Sequence, residues 1–492
     1  MLASTFAHHS RSFVERSKNF VFDDSIVRKG VIKAQYAVRG DIIIKQGELI
    51  EQMKKGVKMP FKDFIPCNIG NPFAVGKKSL TFTRQLVAAV EFPELMDKGV
   101  LPDEVCQRAK QFLASANIGA YSPSPGVQLV REDIARFIQR RDGYECKPQN
   151  IFLTEGASQA VQTILDMIIS DPNVGILLPF PTYPLYTATI DLYNGKLVPI
   201  YLNEDKGWEF NVEELEKTYQ ETARKGVDPR ALVVINPGNP TGRVLSQSNM
   251  EKIVDFCEAH QVMLLADEVY QDNIYDPNHK FVSFKKVCMQ KGTRFPLFSF
   301  HSISKGFMGE CGHRAGYLEA INVHQKFYDQ LNKLRSINLS SNSVGQLLFS
   351  AYCNPPKSPE CKRIWDSEVK GEIASLAKKS KILVEGLNKI NGIHSQPVNS
   401  AMYSFPRLNL PKKAIEAASK SYFHGKQLKP DSFWCMKLLE ATGIVVVPGS
   451  GHGQVEGTYH FRTTFLPTEQ KIKECIERMT DFQTKFMQQY AD

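Results

Sequence analysis

Short apolar runs that stop abruptly at polar residues, Pro or Gly recur through the middle of the chain. Three of them cover residues 174–178, 231–235 and 262–266, with enough chain between them for helices. This alternation predicts an α/β fold with a mainly parallel sheet. In such open sheets ligands bind beyond the carboxyl ends of the strands, so the residues that follow each run are the candidates for a site.

Helical spacing of apolar residues marks the segments before these runs. Residues 127–138 carry an apolar stripe after a Pro- and Gly-rich segment, and residues 150–153 predict a short strand. The turn at 156–158 then leads into a second stripe, formed by Val161, Ile164, Leu165, Ile168 and Ile169. A strand, a small-residue turn and a helix are therefore expected in that order.

The pattern changes after Ser340. Residues 370–391 predict a Lys-rich helix, whereas residues 402–406 and 444–447 predict short strands of a second domain. At 492 residues the chain is too long for one ordinary core. We predict an N-terminal segment of residues 1–73 that packs with the small domain, a large domain of residues 74–345 and a C-terminal small domain of residues 346–492.

Composition excludes several classes of protein. The chain is 42% hydrophobic and 23% charged, and it contains no apolar run of the ~18 residues that cross a bilayer, so no membrane partner is expected. Lys and Arg number 61 against 52 Asp and Glu, but these charges are dispersed. No nucleic-acid partner is expected either.

The cysteines and the N-terminus bear on metal binding and location. Ten cysteines are scattered without a CxxC pair, which favours a reducing compartment and no metal site. The first 20 residues contain one acid, Glu15, and three Lys or Arg, a weak match to a mitochondrial presequence. No apolar secretory core is present. A cytoplasmic location is expected, with the mitochondrial matrix as the alternative.

An acid and a phenol follow the run at 262–266. Asp267 comes directly after that run and Tyr270 three residues later. A carboxylate at the end of a strand can hold a heterocyclic nitrogen of a cofactor protonated. The alternative is an ordinary solvated acid.

A lysine follows the apolar and aromatic segment 295–300. Ser302 and Ser304 precede Lys305, and burial at this position would lower the pKa of the lysine from its ordinary value of about 10.4. A neutral amine can form an imine with an aldehyde. A surface lysine is the alternative interpretation.

Two features predict anion binding. Arg314 lies between Gly312 and Gly316, and its planar guanidinium suits bidentate contact with phosphate. The turn at 156–158 opens a helix and offers free backbone N–H groups at the positive end of the helix dipole. For this turn, ordinary helix capping is the alternative.

Two further polar residues lie in constrained surroundings. Residues 236–242 include two prolines and two glycines, giving a fixed loop that could project Asn239 over a ligand. Arg462 lies within the apolar run 461–465, where a charge is costly unless it is paired. An anionic ligand and a structural carboxylate would both explain it.

Taken in this order and spacing, Asn239, Asp267 with Tyr270, residues 302–305, Arg314 and Arg462 resemble the fold type I aminotransferases. The resemblance implies a pyridoxal 5'-phosphate enzyme with a large domain around a mainly parallel seven-stranded sheet, plus a smaller α+β domain built from the N- and C-terminal segments. Small-molecule amino acids and 2-oxo acids are the implied substrates, and a homodimer with shared active sites is the implied assembly.

The resemblance also implies a role for each candidate residue. Lys305 would be the catalytic residue, holding the cofactor as an imine, Asp267 would pair with the pyridine nitrogen, and Asn239 and Tyr270 would bind the ring oxygen. The phosphate contacts would come from Ala157, Ser158, Ser302, Ser304 and Arg314. Tyr183 would stack on the ring, Arg462 would bind the substrate carboxylate, and Tyr121 would reach across from the neighbouring subunit.

Within that family the chain is most similar to alanine aminotransferases, at residues 36–40, 68–70, 266–272, 304–312 and 447–451. This similarity implies ping-pong conversion of alanine and 2-oxoglutarate to pyruvate and glutamate, with the backbone of Gly70 beside the substrate. The alternatives are a glutamate–glyoxylate aminotransferase or another fold type I enzyme such as a lyase or synthase. A ligand-sensing regulator would need a DNA-binding module, which the roughly 30 residues ahead of the matched region are too few to supply.

Overall fold

The computed structural model describes residues 24–36 and 40–491 of the chain. The α-helices in these ranges are α1 (Lys29–Lys33), α2 (Asp41–Lys54), α3 (Thr81–Glu91), α4 (Asp103–Ser115), α5 (Gln128–Asp142), α6 (Ala157–Ile168), α7 (Pro184–Leu192), α8 (Val212–Arg224), α9 (Gln247–His260), α10 (Phe284–Lys291), α11 (Gln325–Ile337), α12 (Ser343–Cys353), α13 (Pro359–Leu387), α14 (Lys412–Ser419), α15 (Pro430–Thr442) and α16 (Glu469–Gln489).

The β-strands are β1 (Ile65–Pro66), β2 (Ile151–Thr154), β3 (Val174–Phe180), β4 (Lys196–Tyr201), β5 (Asp228–Ile235), β6 (Met263–Asp267), β7 (Leu297–Ser302), β8 (Gly316–Ile321), β9 (Ile393–His394), β10 (Tyr403–Ser404), β11 (Arg407–Leu408), β12 (Tyr422–Phe423), β13 (Lys426–Gln427), β14 (Ile444–Val445), β15 (Val447–Pro448) and β16 (Phe461–Thr464). Each of the three apolar runs at 174–178, 231–235 and 262–266 overlaps one of these strands.

A seven-stranded sheet forms the centre of the molecule, in the order β2-β8-β7-β6-β5-β3-β4. Every strand runs in the same direction except β8, which is antiparallel to both of its neighbours. Side chains alternate between the two faces, so that Ile176 and Leu178 pack on one side and Leu177 on the other. The predicted mainly parallel α/β sheet is confirmed.

The reversed direction of β8 determines what lies at the carboxyl edge of the sheet. Gly316, the first residue of β8, pairs with Ser302 at the end of β7 and with Thr154 at the end of β2. Because β8 starts where its neighbours end, the residues just before it reach the same edge as the residues that follow the parallel strands. Arg314 is therefore brought to the edge where ligands bind.

The C-terminal part of the chain builds a second core together with N-terminal residues. β1 pairs with β14, α2 packs against α15, and β10, β16 and β15 form a small antiparallel sheet. Trp434 is fully buried in this core. The long helix α13 joins the two cores, since Trp365 packs beside the large sheet and Leu376 in the second core. The domain boundaries themselves stay a prediction.

Two features of the sequence lie outside the described residues. These are the presequence-like first 20 residues and the positions 37–39 within the motif at 36–40. In the part of the chain that the structure describes, no helix combines the length and apolar character that crossing a membrane requires.

We expect Gly316→Ala to destabilise the fold. A Cβ atom at this position would lie 2.7 Å from the carbonyl carbon of Gly156, 2.8 Å from the nitrogen of Ala157 and 2.8 Å from the oxygen of His301. All three are backbone atoms that cannot rotate away, so the free energy of unfolding should fall by about 1–3 kcal/mol. The thermal unfolding midpoint measures this change.

Gly371→Ala is the matched control, because Gly371 is exposed within α13 and a Cβ atom there would touch nothing within 4 Å. This substitution should raise the midpoint slightly, since alanine favours a helix over glycine by roughly 0.5–1 kcal/mol. An unchanged midpoint for Gly316→Ala would contradict the close packing of β8 against the start of α6.

Candidate active site

A cavity of about 280 Å³ lies at the carboxyl edge of the large sheet. The predicted site residues that line it are Gly70, Ala157, Ser158, Tyr183, Asn239, Asp267, Tyr270, Ser302, Ser304, Lys305, Arg314 and Arg462. Most of them follow the carboxyl end of a strand, as the sheet topology requires. Gly70 follows β1 and Arg462 lies on β16, so the second core supplies the opposite wall.

Tyr121 is the one predicted site residue that the structure places elsewhere. Its side chain is 79% exposed and does not line the cavity of its own chain. A role for Tyr121 in the cavity of a second subunit stays a prediction.

Asp267 ends β6 as a buried carboxylate. It is 6% exposed, and its Oδ2 accepts a 2.9 Å hydrogen bond from the Tyr186 hydroxyl. Burial raises the pKa of this carboxyl to about 6, although the hydrogen bonds from Tyr186 and the Val269 N–H lower it. No Lys, Arg or His among the described residues forms an ion pair with Asp267. Its surroundings exclude a solvated acid and favour a cationic ligand.

The start of α6 and Arg314 form an anion cradle. The Nη2 of Arg314 donates to the Glu155 carbonyl at 2.7 Å and to the Ser158 hydroxyl at 3.0 Å. The N-cap residue of α6, Gly156, has no side chain to cap the helix, and Ala157 and Ser158 line the cavity at the positive end of the helix dipole. Gly156 has a φ of +76°, and a Cβ atom there would lie 2.5 Å from the same Nη2. The turn is therefore not an ordinary helix cap made by the side chain of its N-cap residue.

Lys305 extends into the cavity from the loop after β7. Its Nζ donates to the Gly70 carbonyl at 2.5 Å. Two hydrogen bonds from backbone N–H groups hold the loop, one from Gly306 to the Asn273 side-chain oxygen at 2.8 Å and one from Gly309 to the Lys305 carbonyl at 3.0 Å. Gly70 has no side chain to obstruct this approach. The amine is therefore positioned against backbone rather than free in solvent.

Arg462 is a buried cation without a carboxylate partner in the described residues. It is 1% exposed, its Nη2 donates to the Asn68 carbonyl at 2.5 Å, and its Nη1 lies 3.4 Å from Asn239 Oδ1. Its guanidinium lies 4.4 Å from the centre of the Tyr403 ring, and its Nε has no hydrogen-bond partner. The structural carboxylate that the sequence left open is not present there, which leaves an anionic ligand as the explanation.

Sequence reasoning missed three tyrosines that complete the site. The Tyr36 hydroxyl lies 2.6 Å from that of Tyr183, Tyr186 binds Asp267, and Tyr403 lies beneath Arg462. Tyr186 follows Tyr183 by three residues, one helical turn along α7, and that spacing was an available signal. Nothing along the chain indicates where the Tyr403 hydroxyl lies, since it is brought in by the second core.

This set of side chains fits pyridoxal 5'-phosphate. The cradle of Arg314 and α6 suits a phosphate, the unpaired buried carboxylate of Asp267 suits a protonated ring nitrogen, and the amine of Lys305 suits an aldehyde. All three line one cavity. Arg462 remains available for a second anion, a substrate carboxylate.

Comparison with known proteins agrees with this chemistry. The model of the family "Aminotransferase class I and II" matches residues 89–479. A Dictyostelium discoideum protein named as a probable mitochondrial alanine aminotransferase is 47% identical over 478 residues, which cover 94% of this chain and 89% of that protein. Arabidopsis thaliana glutamate–glyoxylate aminotransferase 1 is 44% identical over 481 residues, covering 95% of this chain and 97% of that one.

Among solved structures, an alanine aminotransferase from Pyrococcus furiosus matches with a TM-score of 0.74 and covers 93% of this chain and 99% of its own. Because the sequence identity is 23%, this structural likeness shows the fold alone. It confirms the predicted fold type, and the family match with the close relatives confirms the predicted cofactor. The chain belongs to the class I and II aminotransferases, a family of pyridoxal 5'-phosphate enzymes.

Proposed function

We propose that the chain transfers the amino group of L-alanine to 2-oxoglutarate, giving pyruvate and L-glutamate in two half-reactions at one site. The observation that carries this proposal is the pairing of Lys305 with Arg462 across a single small cavity. One supplies an amine and the other a buried cation that lacks a counter-charge among the described residues. The name of the Dictyostelium relative supports alanine as the amino donor.

The cofactor would be held by groups already in place. Its phosphate would bind in the anion cradle, to Arg314, Ser158, Ser302, Ser304 and the N–H group of Ala157. Asp267 would keep its ring nitrogen protonated, Asn239 and Tyr270 would bind its ring oxygen, and Tyr183 would cover one ring face. When bound, pyridoxal 5'-phosphate supplies an aldehyde for the amino acid and a ring that withdraws electrons from the α-carbon.

Two cavity residues would then act on the substrate, Arg462 by orienting it and Lys305 by moving a proton. Arg462 would bind the α-carboxylate of the amino acid through its fork of N–H groups, fixing the α-carbon near the Lys305 Nζ. Lys305 would first act as a general base and take the proton from that carbon. It would then act as a general acid and give the proton back at a nearby reacting carbon. Burial of Arg462 and Asp267 keeps bulk water from these charges and strengthens both interactions.

Glutamate–glyoxylate transamination is the second candidate, because a relative with that name is 44% identical over 95% of this chain. Pyruvate and glyoxylate differ by one methyl group. A pocket distinguishes such substrates by only about 1–3 kcal/mol, so the choice depends on small differences in the cavity wall.

A comparison of oxo acids with a single donor distinguishes the two candidates. With glutamate as donor, we expect kcat/KM for pyruvate to exceed that for glyoxylate by at least about tenfold, because a pocket shaped for alanine gains contact with the methyl group. Coupled assays of 2-oxoglutarate formation measure both reactions. A preference for glyoxylate would support the second candidate and reject the first.

The raised pKa of Asp267 predicts that the free energy of unfolding of the cofactor-free protein falls as pH rises. Its folded pKa of about 6 exceeds the ordinary value of about 3.9. Between these values the unfolded chain loses the proton while the folded protein keeps it, so the stability contributed by Asp267 falls as pH rises from about 4 to 6. Relative to Asp267→Asn, the wild type should lose roughly 2–3 kcal/mol over this window.

Denaturant unfolding of both cofactor-free proteins at several pH values measures this difference. The Asn side chain keeps the shape but cannot titrate, so other buried carboxyls such as Asp272 contribute equally to both curves. Parallel curves for the two proteins would show that Asp267 is not buried as the structure has it.

We also propose a homodimer in which Tyr121 completes the partner's cavity. Exposed apolar side chains support this assembly, since Tyr121, Ile337 and Leu339 are 79%, 72% and 50% exposed. The amide of Gln346 donates to both the Ser122 hydroxyl and the Ser341 carbonyl, so the loops that carry Tyr121 and Leu339 are neighbours. These loops lie near the anion cradle, because the Asn342 N–H donates to Glu155 at 2.7 Å.

Mixing two defective variants tests this assembly. Lys305→Ala should be inactive and Tyr121→Ala impaired, yet mixed dimers should regain activity above that of Tyr121→Ala alone. In such a dimer one site has an intact Lys305 and receives Tyr121 from the other subunit. Remixing after mild denaturation and assaying activity measures the gain. No gain, or a monomer in sedimentation, would contradict the shared site.

The cytosol is the compartment that we propose, supported by ten cysteines that are all free thiols. The mitochondrial matrix is the alternative, supported by the name of the Dictyostelium relative.

A further inference from the structure

Tyr403 lies between the two catalytic cations of the cavity. It belongs to β10, which pairs with β16 so that Tyr403 is opposite Thr464, two residues from Arg462. The side chain is 3% exposed. Its ring lies under the Arg462 guanidinium at 4.4 Å, while its hydroxyl extends towards Lys305 and Gly70.

The Tyr403 oxygen is surrounded by hydrogen-bond donors. A Cβ atom on Gly70 would lie 2.7 Å from the Lys305 Nζ and still closer to the Tyr403 Oη, so both atoms occupy the same small volume. The Tyr270 hydroxyl donates to the Tyr403 Oη at 3.5 Å. Among the described residues, the hydrogen bond found at this hydroxyl is one that Tyr403 accepts, and the Lys305 amine lies on the same side. The oxygen is therefore placed to accept protons.

The charges around Tyr403 act in the same direction. Burial alone would raise the pKa of this phenol, but the positive charges of Lys305 and Arg462 lower it below its ordinary value. Burial instead raises the pKa of the phenols of Tyr183 and Tyr270, which line the same cavity, and of Tyr186 beside Asp267. Tyr403 differs from these three because it lies beside two cations.

We propose that Tyr403 is the proton partner of Lys305, exchanging one proton with its amine whenever that amine is free. The N–H bond of the Lys305 ammonium breaks, an O–H bond forms on the Tyr403 phenolate, and the pair keeps the same total charge. Lys305 becomes a neutral amine able to act as a base. The proposal rests on the transamination proposed above, in which Lys305 is free between the two half-reactions.

A buried partner removes the need to exchange this proton with solvent. Lys305 is partly buried, and its Nζ also donates to the Gly70 carbonyl, which cannot take a proton. Transfer within the pair adds no uncompensated charge to the cavity. Because Tyr403 can take this proton and give it back, Lys305 can act both as a base and as an acid during a catalytic cycle.

Ultraviolet titration of tyrosinate tests the pair directly in the full chain loaded with the amino form of the cofactor, where the Lys305 amine is free. The wild type minus Tyr403→Phe difference should show one tyrosine that ionises below the ordinary value of about 10. In Lys305→Met, loaded in the same way, that ionisation should move to higher pH. Tyr317→Phe is the control and should leave the low-pH step in place, because burial raises the pKa of Tyr317.

Kinetics separates a proton role from a supporting role. Tyr403→Phe keeps the ring beneath Arg462 but removes the hydroxyl, so kcat for the alanine half-reaction should fall by about 10²-fold with little change in KM. Tyr403→Leu removes the ring as well and should also raise KM. Unchanged kcat in Tyr403→Phe would show that Tyr403 only supports Arg462.

Identical titrations of wild type and Tyr403→Phe below about pH 10 would overturn the proposal. If Tyr403→Phe does not fold, the comparison of wild type with Lys305→Met still decides, since an unmoved low-pH step would also overturn it. The titration does not depend on which amino acid the enzyme prefers. Its failure is thus distinguishable from failure of the alanine assignment.

Discussion

Burial of two opposite charges that do not neutralise each other is the constraint on which the cavity depends. Arg462 is 1% exposed and Asp267 is 6% exposed, and within the described residues neither has an ionic partner. A buried charge without a partner is costly, and a fold that keeps two of them must be stabilised elsewhere. Ligands of the opposite charge recover that cost on binding. The cavity is thus organised in advance for a cationic ring nitrogen and an anionic carboxylate.

The two cores each hold one half of this arrangement. The large sheet positions Asp267, Lys305 and the anion cradle, and the single antiparallel strand β8 brings Arg314 to the same edge. The second core brings Gly70, Tyr403 and Arg462 to the opposite wall. Gly316 lets β8 lie against the backbone at the start of α6, and Gly156 leaves room for the Arg314 guanidinium. The chemistry therefore depends on how closely these two cores pack.

Much of the large domain could be predicted from the sequence because local signals agree there. Continuous apolar runs indicated buried parallel strands, and the polar residues that follow them reach one edge by topology alone. Asn239, Asp267, Lys305 and Arg314 could be found in this way. The boundary between the two cores has no local signal in the sequence, because α13 runs continuously from one core to the other.

Contacts between distant segments could not be predicted from the sequence. The charge of Arg462 was recognised as costly, but only the fold shows that its neighbours are a carbonyl, an amide and an aromatic ring. The sequence around Tyr36 and Tyr403 does not indicate which residues their hydroxyls contact, since hydroxyl positions depend on tertiary packing rather than on periodicity. The role proposed for Tyr121 depends on a second subunit, which a single chain does not contain.

The central claim is that Lys305 binds the cofactor covalently and that alanine takes its place. The most direct measurement is the near-visible absorbance of the purified protein, recorded before and after alanine is added, beside Lys305→Ala. The account predicts that the band of the lysine-bound cofactor disappears with alanine, returns with 2-oxoglutarate, and is missing or unresponsive in the variant. A wild-type protein that binds no cofactor, or a variant that responds as the wild type does, would contradict it.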